Sequence, residues 1–245
     1  MPTLRPVPHA PSPVRAPRRR LLAALLLGSA ALMPAVAQPA SDQDLIAAAA
    51  RGELAQVRRL LDAGAGVGAR DASGRTALLA ATQGNHVAVT ALLIARGADV
   101  NAQDKILDSP FLLAGASGYL EILRLTLKAG ADLKSRNRYG GTALIPACHH
   151  GHLETVRELL GTSIDVNHVN NLGWTALLEA IILGDGGPTH TAIVRELLAH
   201  GARVDLADRD GVTPLAHARR RNYREMAGLL EAAGAGTRQG IRHDQ

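Results

Sequence analysis

The densest group of reactive side chains is Cys148-His149-His150, followed by His152 and, farther on, His168. Imidazoles ligate transition metals and exchange protons near neutral pH. A thiol beside an imidazole is the pair that covalent catalysis uses. The spacing favours neither. Successive helical side chains diverge by about 100°, so His149 and His150 point apart and Cys148 does not face His149, whereas helical ligand pairs sit four residues apart. Gly-x-Ser-x-Gly, His-Glu-x-x-His and phosphate-binding glycine loops do not occur in the sequence. Glu179 is an acid with no catalytic partner. The residues therefore describe a non-catalytic chain with no cofactor and no metal centre. A ligand- or metal-binding site built from His149, His150 and the segment 185–189 is the alternative reading.

Charge narrows the field further. The net charge is +5, but residues 1–37 carry five arginines (Arg5, Arg15, Arg18, Arg19, Arg20) and no acid. Removing these five from the 27 basic residues leaves 22 against 22 acidic ones. A neutral body with one basic cluster, Arg219 to Arg221 and Arg224, lacks the cationic surface that phosphate backbones require, so no nucleic-acid partner is expected.

The N-terminus reads as an export signal. Arg18 to Arg20 precede a 13-residue apolar run from Leu21 to Met33, and Ala35-Val36-Ala37 gives the small-x-small pattern for cleavage after Ala37. The run is short of the ~20 residues that span a bilayer, so no stable membrane anchor is expected after cleavage. Pro17 to Leu22 also fits a twin-arginine signal, and that choice stays open. With Cys148 as the single cysteine, no internal disulfide can form. Three lysines beside 24 arginines fit a GC-rich bacterial genome. The expected location is the periplasm.

The chain carries an internal repeat. Thr76, Ser109, Thr142 and Thr175 recur at 33 residues, with Thr213 following after 38. Gly52, Asn85, Gly118, Gly151, Gly184 and Asn222 keep the same intervals, and Gly64, Gly97, Gly130, Ser163, Gly201 and Gly234 form a third series. Six units result: 41–70, 71–103, 104–136, 137–169, 170–207 and 208–236, after a short 38–40 segment and before a flexible tail, 237–245. The extra five residues of unit five are placed at 185–189, between its helices. In each unit Thr or Ser caps a first helix. Small residues such as Ala80-Ala81 or Ala147-Cys148 allow close helix approach, and Gly or Asn ends that helix in the left-handed conformation. A second helix then carries paired leucines.

Asp71-Ala-Ser-Gly-Arg-Thr-Ala-Leu78, Asp208-Arg-Asp-Gly-Val-Thr-Pro-Leu215 and Gly97-Ala-Asp-Val-Asn101 resemble the ankyrin repeat. The resemblance covers roughly residues 41–236 and implies an all-α solenoid of about six stacked helix-turn-helix units with short hairpin tips. Stand-alone bacterial ankyrin proteins with signal peptides are similar, and some are linked to oxidative-stress defence. The resemblance implies a monomeric protein-binding scaffold that uses its concave face. Carried onto this chain, that face includes tip residues Lys105, Ile106, Arg138, Tyr139, Asn171, Leu172 and Trp174. It also includes helix ends Ala116-Ser117, His149-His150, Ile182-Leu183 and Arg220-Arg221. Partner contact is expected at Arg138, Tyr139, His149, His150, Asn171, Leu172, Trp174, Ile182 and Leu183.

The same resemblance makes His152 a structural residue bonded to neighbouring backbone. It also makes Glu179 an acid at an ordinarily apolar position, bonded to the hairpin near Trp174. Leu107 replaces a tip glycine, and the 104–108 hairpin is therefore expected to be reshaped. Ile182 and Leu183 are either covered by 185–189 or open to a partner.

Overall fold

The computed structural model describes residues 41–236. The expected export signal, its cleavage point, the 38–40 segment and the tail 237–245 lie outside the described residues.

A short helix starts where a side chain accepts from its free amides. Ser41, Thr76, Ser109, Thr175 and Thr213 each take the amide three residues ahead. They open α1 (Asp42–Ala50), α3 (Ala77–Gln83), α5 (Pro110–Ser117), α9 (Ala176–Ile182) and α11 (Pro214–Arg220). With α7 (Leu144–His149) these are the first helices of the units. The second helices are α2 (Leu54–Asp62), α4 (Val87–Ala95), α6 (Leu120–Lys128), α8 (Leu153–Leu160), α10 (Pro188–Ala199) and α12 (Arg224–Ala232). Among the described residues there are thus twelve helices, one pair in each expected unit, and no strand beyond a single bridge between Arg70 and Thr76. No helix among them is long and apolar enough to cross a membrane.

First helices pack on first helices in the order α1, α3, α5, α7, α9, α11, and second on second from α2 to α12. Each pair buries its apolar face against its neighbours, which makes the core a property of the stack. That core is not continuous. Buried residues form one cluster from Leu45 to Val100 and another from Phe111 to Leu230, with half-buried Ala131 touching both. On the outer helices Arg124–Glu158 (2.9 Å), Arg157–Glu196 (2.8 Å) and Arg195–Glu225 (3.1 Å) link successive units. These pairs are exposed, so solvent screens them and they contribute little to stability.

The tips share one device. The side chain of Asp71, Asp104, Asn137, Asn170 or Asp208 accepts from two amides of its own hairpin, as Asp71 does from Ser73 and Arg75. Neighbouring tips join where Lys105 donates to the Ser73 carbonyl (3.0 Å) and Asn171 to that of Tyr139 (2.8 Å).

Three sequence expectations need correction. The 104–108 hairpin keeps the common shape: Asp104 makes its two bonds, and Leu107 takes the left-handed conformation at φ 63° despite its side chain. The bonds of Asp104 and the joint to Ser73 hold the turn against the strain. Thr142 does not cap its helix. The Ile145 amide that a cap would receive bonds instead to the Thr142 carbonyl (3.3 Å), Pro146 has no N–H to continue the pattern, and α7 starts only at Leu144. The Thr142 hydroxyl is left buried without a partner.

In unit five, Gly186 (φ 73°) and not Gly184 is left-handed, and the insertion mainly lengthens α10 to 12 residues. His190 thereby reaches the place that His86 and His152 hold in earlier units. His86 Nε2 bonds to the Ala50 carbonyl and His190 Nε2 to that of His149, both at 3.0 Å.

Leu107→Gly should relieve the strained φ and stabilise the chain by ~1 kcal/mol, seen as a melting temperature about 2–4 °C higher in calorimetry. An unchanged or lower melting temperature would mean that the tip carries no strain.

Candidate functional site

Between the tips and the ends of α5, α7 and α9 lies a groove of about 360 Å³. Six of the nine expected contact residues line it: Arg138, Tyr139 and Leu172 from the tips, and His149, His150 and Leu183 from the helix ends. Tyr139 is 53% exposed, Leu172 47% and Leu183 42%. The segment 185–189 does not cover Leu183. It turns toward unit six, where the Tyr223 ring packs on Gly186 and its hydroxyl donates to the Gly184 carbonyl at 3.0 Å.

Three expected residues fall outside the groove lining. The Asn171 side chain packs on Gly140. Ile182 is half-buried, and its carbonyl accepts from Arg221 at 3.1 Å. Trp174 is half-buried on the return arm of its hairpin, where its carbonyl accepts from the Asn170 amide (3.0 Å). Tyr139 and Trp174 form no ring pair among the described residues.

The histidines meet differently from the helical expectation. α7 ends at His149 and His150 is its cap, so the rings stack with centroids 4.3 Å apart, and His150 also lies 5.9 Å from His152. Burial first, then neighbouring His150 and His190, holds His149 below the ordinary histidine range. His152 is lowered by burial and by His150, against a backbone bond at Ala116. No group of three or more His, Cys, Asp or Glu side chains converges to hold a metal ion among the described residues. Asp185, the acid of the inserted segment, is engaged with the Gly187 amide (2.9 Å) and His190 (2.8 Å). Cys148 is fully buried, and burial pushes its thiol far above the ordinary cysteine range, so it carries no thiolate near neutral pH.

Two acids stand at the groove that spacing alone did not unite. Asp108 Oδ2 lies 3.4 Å from Arg138, whose guanidinium sits 4.8 Å over the Tyr139 ring. Burial outweighs that cation and raises Asp108. Glu179 is only 5% exposed. Its Oε1 accepts from the Asn170 side chain at 3.0 Å, and Asn170 anchors the hairpin of Trp174, so the expected tie to that tip is present. His217 and Asp208 make the same tie in unit six at 2.6 Å, also nine residues apart. Oε2 of Glu179 has His149 Nδ1 as its near neighbour, at 3.8 Å. That distance would suit an ion pair, yet burial moves the two groups oppositely, Glu179 up to about 7 and His149 down. Burial, and not pairing, governs both. The sequence signal for Glu179 was its site four residues after the capping Thr175, where other units place Ala80, Leu113, Pro146 and His217. Asp108 had no comparable signal.

Comparison with known proteins places this geometry in context. A family model described as ankyrin repeats in three copies matches residues 22–104 and 111–187, and a single ankyrin-repeat model matches 172–209. The ankyrin repeat protein YahD of Escherichia coli K12 is 56% identical over 57 residues, which span 23% of this chain and 28% of YahD. An ankyrin repeat domain from Acinetobacter baumannii AYE is 57% identical, with 78% of this chain and 97% of that one covered at a TM-score of 0.76. The human ASB11 ankyrin repeat domain is 28% identical, with 80% and 85% covered at 0.68.

A pH dependence follows from Glu179. Its folded value of about 7 exceeds the ordinary 4.5, so the native state keeps a proton that the unfolded chain releases. The resulting cost is absent below pH 4.5, grows as pH rises toward 7, and then stays constant at roughly 3 kcal/mol. Glu179→Gln should match the parent in denaturant stability at pH 4 and exceed it by about 1–3 kcal/mol at pH 8. Equal stabilities at both pH values would show that the carboxyl is not desolvated.

Proposed function

Because the chain belongs to the ankyrin-repeat family, whose repeats generally mediate protein–protein interaction, we propose that it is an exported, non-catalytic scaffold that captures one protein partner on the concave face of units three to five. One observation carries this reading. Seven large apolar side chains are exposed among the described residues, and five of them, Ile106, Leu107, Tyr139, Leu172 and Leu183, belong to the tips and helix ends of those three units. Scattered exposed apolar residues are ordinary, whereas a group on adjacent elements around a groove marks an interaction surface. Tyr139 suits the centre of such an interface, since it buries much area with few rotors. The stacked units beneath hold the tips rigidly, so little ordering is required on binding.

Export to the periplasm rests on residues 1–37 as a cleaved signal. A part in stress defence rests on the likeness to stand-alone bacterial ankyrin proteins.

Cross-linking in living cells, followed by mass spectrometry, tests the surface. The parent should yield one dominant adduct, and Tyr139→Ala with Leu172→Ala should reduce it at least about tenfold while the circular dichroism spectrum and melting temperature stay unchanged. Undiminished capture by the double variant would remove this groove as the binding site. The intact mass of the periplasmic chain should correspond to residues 38–245; a full-length cytoplasmic product would refute export.

A further inference from the structure

The groove is not a purely apolar trough. Its apolar rim, Leu172 and Leu183, surrounds a polar interior in which Glu179 is almost fully buried and uses only one oxygen in a hydrogen bond. Oε2 has no hydrogen-bond partner among the described residues, His149 lying too far at 3.8 Å. A carboxylate oxygen left unpaired on the lining of a groove calls for a donor, and a charged donor most of all.

The chain itself displays the suitable chemistry on the opposite wall. The Arg138 guanidinium lies over the Tyr139 ring and against Asp108, engaging an aromatic face and a carboxylate together. The inner wall repeats that pair of features without a cation, since Glu179 stands beside the stacked rings of His149 and His150. With Arg138 matched by Asp108, Glu179 is the unmatched acid of the groove.

Resting on the scaffold reading above, we infer that the groove receives an arginine side chain from an extended segment of the partner protein, its guanidinium bonded to Glu179 Oε2 and stacked on His149, with apolar neighbours seated on Leu172 and Leu183. A planar guanidinium bonds a carboxylate through a fork and stacks on flat rings, which an ammonium does not. Its methylene stem suits the apolar rim.

The test uses the chain spanning residues 38–245 and the peptide acetyl-Ala-Leu-Arg-Leu-Ala-amide, titrated at pH 8 by nuclear magnetic resonance. Controls are the same peptide with citrulline, a neutral isostere of arginine, and free spermidine. The arginine peptide should shift the amides of Asn170, Glu179 and His149 and bind at least about tenfold more tightly than the citrulline peptide. Glu179→Gln, expected to fold at least as stably as the parent, should abolish that preference. Equal binding of arginine and citrulline peptides, or an undiminished preference in Glu179→Gln, overturns the proposal. Spermidine binding as tightly as the peptide at the same amides overturns the assignment to a peptide. Full partner capture by Glu179→Gln together with loss in the Tyr139/Leu172 variant would reject the arginine while leaving the scaffold reading intact.

Discussion

A pair of short helices in a 33-residue unit exposes apolar surface on two sides and cannot cover both by folding on itself. Only a similar unit on each side removes that surface from water, so stability here is a sum over interfaces between neighbours. Small residues such as Ala80, Ala114, Ala147 and Ala180 line the first helices, all essentially inaccessible to solvent. Ring-sized side chains are rare inside, Phe111 being the notable case. Close approach fixes the spacing of the tips, and that spacing creates the groove. The binding surface thus needs no dedicated element.

Periodicity made the architecture readable from sequence, because the residues that cap, turn and close each unit recur in phase. The misreadings came where one residue served two demands. Thr142 fits the capping pattern, but Pro146 withholds the amide that would extend the helix back to it, a backbone conflict four residues away. Gly184 fits the glycine series, yet the insertion changes where the chain must turn left-handed, and the histidine position is regained only at His190. Leu107 looked incompatible with the tip because its intrinsic preference was weighed without the Asp104 bonds that override it. In each case a local rule met a constraint from outside its window.

The groove was legible only in part. The resemblance located its rim, since tip and helix-end positions are set by register. It could not show that the His149 and His150 rings stack, because this depends on α7 stopping at His149. Nor could it bring Asp108 and Glu179 to one cavity from different units. Glu179 is the instructive residue. It repeats the hairpin tie that His217 makes in unit six, but with a carboxyl that has a second oxygen to satisfy and is poorly solvated. A histidine or an amide would make the tie at lower cost to stability, and unsatisfied charge of this kind concentrates where proteins bind other molecules.

The division of the apolar interior into two clusters, bridged by Ala131, bears on how this array comes apart. The two blocks stay coupled, since α3 packs on α5 and α4 on α6 across that boundary and Lys105 bonds to the Ser73 carbonyl. Units one and two form the shorter block, whereas the groove lies wholly within the longer one. Loss of the leading block would bare the face of unit three that α3 and α4 cover, so units one and two act as the cap over that end of the part of the molecule that carries the groove.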